Sequence, residues 1–191
     1  MRPQEYILRN LQGFEGDESL AQEITKAKKG IKVCVETGTY LGGSTKRFAQ
    51  MFDKVYTIEF LQENFDKAKQ HLIGCENVKQ YLGSSATEIY NVLSEIKEKK
   101  VFFFLDAHWQ NDCPLIYELQ AIGQSDKSGI IAIHDWVVPN SDLGYDSYNG
   151  QDFTYEWIEP TLQANFKQYK AWYNNPKTAI GARRGVLFIE F

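Results

Sequence analysis

Five short β-rich runs, residues 31–35, 54–58, 78–82, 101–105 and 129–133, are each followed by a helical stretch, at 45–52, 61–73, 86–96, 115–122 and 154–166. Strands that alternate with helices do not pair through tight turns. Each crossover brings the chain back parallel to its neighbour and lays a helix on the sheet. The spacing therefore predicts an α/β fold with a doubly wound, mostly parallel sheet and helices on both faces. Val101-Phe102-Phe103-Phe104-Leu105 is apolar without alternation, as suits a strand covered on both faces. The end of the chain breaks the rhythm. Residues 167–173 and 186–191 are strand-like and joined by a loop with Pro176 and Gly181, which predicts a closing antiparallel hairpin at one sheet edge. Pro160 is expected to interrupt the helix before them. Ahead of the first strand, Ile7, Leu8 and Leu11 form one apolar stripe, and Leu20, Ile24 and Ala27 form another that Gly30 stops. The expected organisation is a helical segment at 1–30 packed on a single domain at 31–191.

Hydrophobic residues at 43% are enough for such a core. With 21 Lys and Arg against 25 Asp and Glu, the net charge is −4, and no basic cluster extends beyond residues 97–100. That gives a phosphate backbone little footing, so a small-molecule partner is expected rather than nucleic acid. No apolar run approaches the ~18 residues of a membrane span, and no membrane partner is expected. The cysteines, Cys34, Cys75 and Cys113, contain no C-x-x-C pair. This argues against a disulfide framework or a cysteine zinc site and favours a reducing, cytoplasmic compartment. A homo-oligomer stays open.

The first strand runs into Glu36-Thr37-Gly38-Thr39-Tyr40-Leu41-Gly42-Gly43-Ser44-Thr45. Glycines let the backbone turn sharply and approach a ligand with no Cβ in the way. The helix beginning near Ser44 turns unpaired N–H groups toward that ligand. The spacing is E-x-G-x-x-x-G, and Thr39 and Tyr40 break the G-x-G-x-x-G of dinucleotide sites. The Glu36 carboxylate would repel a pyrophosphate and is compatible with a cationic amino-acid ligand. Glu59 ends the second strand about 20 residues beyond the glycine loop, where an acid accepts a ribose hydroxyl pair. Gly83-Ser84-Ser85 ends the third, and its hydroxyls would border an adenine ring or cap the next helix.

These segments resemble a class I S-adenosylmethionine-dependent methyltransferase across residues 31–191. Residues 36–45 resemble the first motif of the small bacterial branch that includes metal-dependent sugar and catechol-type O-methyltransferases. Leu105-Asp106-Ala107-His108-Trp109 resembles that branch's fourth motif, and Ile133-His134-Asp135-Trp136 the acidic end of its fifth strand. Gly181-Ala182-Arg183-Arg184-Gly185 is similar to a segment before the last strand of some members. The resemblance implies a Rossmann-like seven-stranded sheet of order 3-2-1-4-5-7-6 with strand 7 antiparallel. It implies S-adenosylmethionine as cofactor, with Glu36, Gly38 and Ser44 at its methionine end and Glu59 on its ribose. Thr37, Tyr40, Gly42, Thr45, Ser84, Ser85 and Asp106 are the other expected cofactor residues. In the metal-dependent relatives, the positions of Asp106 and Asp135 are ligands and a further Asp or Asn follows the second acid. Here Trp136 follows it and His134 precedes it.

Asp106, His108, His134 and Asp135 fall at two strand ends that this order makes neighbours. Methyl transfer is an in-line displacement at a sulfonium methyl, and a hydroxyl acceptor must also lose a proton. Asp106, His108 and Asp135 are the candidate catalytic groups. Either His108 is a general base, or Mg²⁺ or another divalent cation sits on Asp106, Asp135 and, as a further candidate, His134. Structural roles stand beside these: caps for the two acids, packing beside Trp109 for His108, a core position for His134, and a cap before Pro114 for Asp112. Residues 135–154 follow the fifth strand, and Asp142, Tyr145, Asp146 and Tyr148 with Trp157 would form a lid, or else a solvated surface loop. Arg183 and Arg184 would bind an acidic substrate group or else stand as solvated charges. The expected function is S-adenosylmethionine-dependent O-methylation of a small polar acceptor, a sugar or a phenolic metabolite. A nicotinamide-dependent oxidoreductase and a non-catalytic S-adenosylmethionine-binding module are the alternatives.

Overall fold

The structure, a computed structural model, describes residues 11–108 and 113–191, with Glu15 by its backbone alone. The stripe at Ile7 and Leu8, the Trp109 packing and the Asp112 cap lie outside the described residues. A 3₁₀ turn at Phe14–Gly16 leads into helix α1 (Glu18–Ala27), where Asp17 accepts hydrogen bonds from the Ser19 and Leu20 N–H groups. There follow β1 (Val33–Thr37), α2 (Gly43–Met51), β2 (Lys54–Glu59), α3 (Gln62–His71), β3 (Val78–Leu82), α4 (Ser85–Glu95), β4 (Lys100–Leu105), α5 (Leu115–Gln124) and β5 (Ser128–His134). A two-strand ribbon, β6 (Ser147–Tyr148) and β7 (Gln151–Asp152), precedes α6 (Tyr155–Asn165), β8 (Lys170–Tyr173) and β9 (Val186–Glu190).

The main sheet runs β3-β2-β1-β4-β5-β9-β8. β9 is antiparallel to both β5 and β8, and the other pairings are parallel. Apart from the small ribbon this is the expected order, with the last strand reversed. Side chains alternate between two cores. Val33, Val35, Phe103, Leu105, Ile131 and Ile133 meet Ile89, Leu119 and Leu162 of α4–α6. Cys34, Phe102, Phe104, Ile130 and Ala132 meet Ile24 of α1 and Phe48 of α2.

β1 starts at Val33 and reaches Thr37, later than expected, because its ladder pairs Thr37 with Ile58 and Leu105. β8 loses residues 167–169 for want of a partner on β9. Pro160 does not interrupt α6, which runs unbroken across it with Ile158 and Leu162 buried on either side. The ribbon inside residues 135–154 was not expected. Its turn residues Asn149 and Gly150 have φ of 52° and 79°, the pair of positive values that a two-residue hairpin turn needs.

Candidate active site

The glycine turn after β1 binds itself to β2. Gly38 has φ +84°, and a Cβ on it would stand 2.4 Å from the Asp106 carbonyl oxygen, so only glycine fits where the β1 and β4 ends converge. Gly42, also left-handed, occupies the N-cap position of α2 with no side-chain cap. Glu36 is 1% exposed. Its Oε2 accepts hydrogen bonds from Thr45 Oγ1 at 2.5 Å and Thr57 Oγ1 at 2.7 Å. Burial outweighs those bonds and pushes the carboxyl up to about 8. Glu59, also buried, accepts the Tyr40 N–H on Oε2 at 2.7 Å and the Leu61 N–H on Oε1 at 2.9 Å. Tyr40 holds φ 49° to make that bond. Burial raises the Glu59 pKa, against the opposing backbone bonds.

Ser44 Oγ accepts the Phe14 N–H at 3.0 Å, which ties the N-terminal turn to the first turn of α2. Thr45 is buried behind Glu36. Ser84 stands at the N-cap position of α4 but its hydroxyl caps nothing, while Ser85 is buried and bonds the Glu118 carboxyl. Thr37, also buried, bonds the same carboxyl. Sequence reasoning missed the residue beside these two hydroxyls. Glu118, in the first turn of α5, is 1% exposed and burial pushes it up to about 7. Its signal was an acid on the apolar stripe of Leu115, Leu119 and Ile122.

At the ends of β4 and β5 the expected ionisable groups do converge. His108 Nε2 stands 2.9 Å from Asp135 Oδ2, and His108 Nδ1 3.8 Å from Asp106 Oδ1. His134 Nδ1 lies 3.3 Å from Oδ1 of both Asp106 and Asp135. Asp135 adopts φ 60°, a conformation that non-glycine residues keep only where surroundings enforce it. Burial would lower the His108 pKa, but hydrogen bonds to Asp135 and Asp146 raise it to about 10. His134 is also raised, the Asp135 and Asp106 charges overcoming its burial. Asp135 falls well below the usual carboxylate range, because the two imidazoles beside it outweigh its burial.

Residues 135–154 pack onto this cluster as a lid. Asp146 Oδ2 reaches His108 Nε2 at 3.1 Å. The rings of Tyr148 and Phe153 meet the His108 ring edge-on at 5.5 and 5.2 Å, and Phe153 stacks on Trp157 at 5.4 Å. Asp142 and Tyr145 stay outside, with Asp142 paired to Arg183. Arg184 corrects the sequence reading. It is no solvated charge, for its guanidinium donates from Nε to Asp135 and from Nη2 to Asp146, locking lid to strand. Gly185 allows that approach, since a Cβ there would overlap the Trp136 carbonyl oxygen. The donors suit a divalent cation. Asp106, His108 and Asp135 each offer an atom within 4.8 Å of the others, and the buried Nδ1 of His134 has no hydrogen-bond partner.

No protein-family model and no curated protein matches the sequence. Solved structures match its fold. An rRNA methylase from Streptococcus thermophilus aligns over 100% of this chain and 97% of its own, at TM-score 0.57 and 16% identity. An O-methyltransferase from Bacillus cereus in complex with SAH aligns over 100% of this chain and 82% of its own, at TM-score 0.56 and 18% identity. A precorrin 8w decarboxylase from Methanobacterium thermoautotrophicum aligns over 91% and 90%, at TM-score 0.57 and 15% identity. One architecture carries these different chemistries, so the likeness speaks for fold and not for substrate. The chain has the class I S-adenosylmethionine-dependent methyltransferase-like fold.

Proposed function

We propose that this chain binds S-adenosylmethionine across the ends of β1 and β2 and transfers its methyl group to an oxygen of a small polar acceptor. The observation that carries the reading is a pair of buried acids, Glu36 and Glu59, around a glycine turn that abuts Asp106 at the edge of the ionisable cluster. The Tyr40 and Leu61 N–H groups fix the two Glu59 oxygens at the end of β2, where a ribose hydroxyl pair would meet them. Glu36 gains charge as the ammonium of the methionine end approaches, and Thr45 is its positioning residue. Gly38, Tyr40, Gly42 and Ser44 line the turn, with Thr37, Ser84 and Ser85 toward the adenosine.

The acceptor lies under the lid, beside Asp106, His108 and Asp135. His108, held protonated at neutral pH, orients the carboxylates and offsets their charge rather than taking a proton. Asp106, with its side chain 27% exposed, accepts the hydroxyl proton. A divalent cation held by the Asp106 and Asp135 carboxylates would make that hydroxyl more acidic. The net charge of −4 favours a small acceptor, sugar or phenolic, over RNA. Among the described residues no helix is long and apolar enough to cross a membrane. A cytoplasmic enzyme is part of the reading, as is a single domain at 31–191 carrying the 1–30 segment. The oxidoreductase alternative has no support, because the glycine turn lacks the G-x-G-x-x-G spacing of dinucleotide sites and the solved structures of like fold include a methylase and an O-methyltransferase.

Calorimetric titration with S-adenosylhomocysteine, after chelation and again with added Mg²⁺, tests this. Binding is expected, and Glu59→Ala should weaken it by about 1–3 kcal/mol. A folded protein that fails to bind under both conditions refutes the reading.

A further inference from the structure

Glu118, in the first turn of α5, is 1% exposed and has no part in the proposed transfer. Its carboxyl meets the hydroxyls of Ser85, at the start of α4, and Thr37, at the end of β1. Among the described residues no lysine or arginine pairs with it. An acid buried beside neutral partners alone is costly, and two hydroxyls leave part of a carboxylate's acceptor capacity unused. The same side chain lines a cavity between α5, the ends of β4 and β5, and the lid. Leu105, Leu115, Ile133 and Phe153 give that cavity apolar walls, and His108, which pairs with Asp135, also borders it. The space takes a group about the size of one water molecule.

We infer that Glu118 is a specificity-determining residue of the acceptor site, where it accepts a hydrogen bond from an uncharged hydroxyl of the acceptor other than the one methylated. A hydroxyl matches the cavity in size. The positive charge of His108 on the same wall disfavours an ammonium there. The apolar walls would leave the remaining hydroxyls of a polyol unpaired, so the body that carries this hydroxyl is apolar. Ser85 and Thr37 hold the carboxyl from its other side, and the acceptor meets a group already oriented. An analogue of the same shape without the hydroxyl would leave the buried carboxyl facing apolar surface, and that cost is what rejects it. The inference deepens the methyl-transfer reading by naming what the acceptor site selects, and it rests on that reading for placing the acceptor there.

The full chain, with and without S-adenosylhomocysteine, is titrated by NMR with phenol and with fluorobenzene, which has nearly the same shape but donates no hydrogen bond. Phenol should bind at least about tenfold more tightly. Glu118→Leu should bring the two affinities to within about twofold by weakening phenol. Glu118→Gln keeps a carbonyl oxygen and should retain most of the preference. Glu118→Met gives the same readout if Glu118→Leu fails to fold. Equal binding of the two probes to the unaltered chain, or no binding of either, overturns the proposal without any variant. So does a preference that survives Glu118→Leu, or a Glu118→Leu chain in which only the affinity for S-adenosylhomocysteine changes, since the carboxyl then serves the cofactor. S-adenosylhomocysteine binding with no phenol preference refutes this inference alone. A phenol preference that depends on Glu118, without S-adenosylhomocysteine binding, refutes only the methyl-transfer reading.

Discussion

Glu36 and Glu59 end adjacent strands and both are buried, yet their carboxyls meet different partners. Hydroxyls of Thr45 and Thr57 hold Glu36, and backbone N–H groups hold Glu59. Glu36 rises from its ordinary 4.5 to about 8 because burial disfavours its charge. An acid whose folded pKa is raised binds its proton more tightly folded than unfolded. The stability that this contributes is complete below 4.5 and is lost as pH rises through about 8. Glu36→Gln keeps an oxygen for the two threonines and removes the titration. Its unfolding free energy, from denaturant curves, should lose most of the wild-type decline across that window. A decline as steep as wild type would mean that Glu36 is charged in the folded chain. Both acids were legible in the sequence because each closes an apolar strand beside a glycine turn. Glu118 was not, since one acid within an apolar helical stripe reads as a surface position until the helix is docked.

At the scale of elements, the strands and helices followed from periodicity, but the lid did not. Asn149-Gly150 is a strong hairpin signal. Its flanking strands have only two residues each, too few for alternation to register. Arg184 was illegible for a different reason. Its partners Asp135 and Asp146 lie 49 and 38 residues away, and only the return of β9 beside β5 brings them together. Two ionic contacts of Asp146, one to His108 and one to Arg184, tie the lid to the cluster, beside backbone hydrogen bonds such as Asp146 N–H to the Asp135 carbonyl and Val137 N–H to the Phe153 carbonyl. Asp146→Asn should loosen the lid and lower the His108 pKa from about 10, while Asp135 still keeps it above its ordinary 6.5. His108 has a raised folded pKa, so its stabilising contribution is full below 6.5 and fades as pH rises through about 10. The variant should bring the upper end of that loss to lower pH. NMR titration of the His108 ring, with amide exchange across residues 142–153, reads both effects. An unchanged titration would mean that Asp135 alone sets the charge of His108.

The whole molecule joins its two cores through one sheet, and the site lies where both end. β4 shows the division, for Phe103 packs toward α4–α6 and Phe104 toward α1 and α2. The turn before α1 belongs to the second core. Phe14 is 2% exposed, with its ring 5.1 Å from Phe48 and 5.9 Å from Phe104. Its φ of 48° is unfavourable for a non-glycine residue and persists because the ring is anchored while the N–H bonds Ser44. Gly181 lies against Gly16 on the other side, where a Cβ would meet backbone. The segment ahead of β1 thus touches both the first turn of α2 and the loop that leads to Arg184. Phe14→Ala removes a ring from a closed core and should cost about 3–5 kcal/mol. If the segment and the sheet form one cooperative unit, the loss should appear as a single earlier unfolding transition, coincident by fluorescence and far-UV circular dichroism. The substitution keeps the backbone N–H that bonds Ser44 but removes the ring that anchors it, so S-adenosylhomocysteine binding should also weaken at temperatures where the variant remains folded. Two separate transitions would mark the segment as an appendage. A single earlier transition with unchanged binding would show that the Phe14 ring serves packing and not the glycine turn.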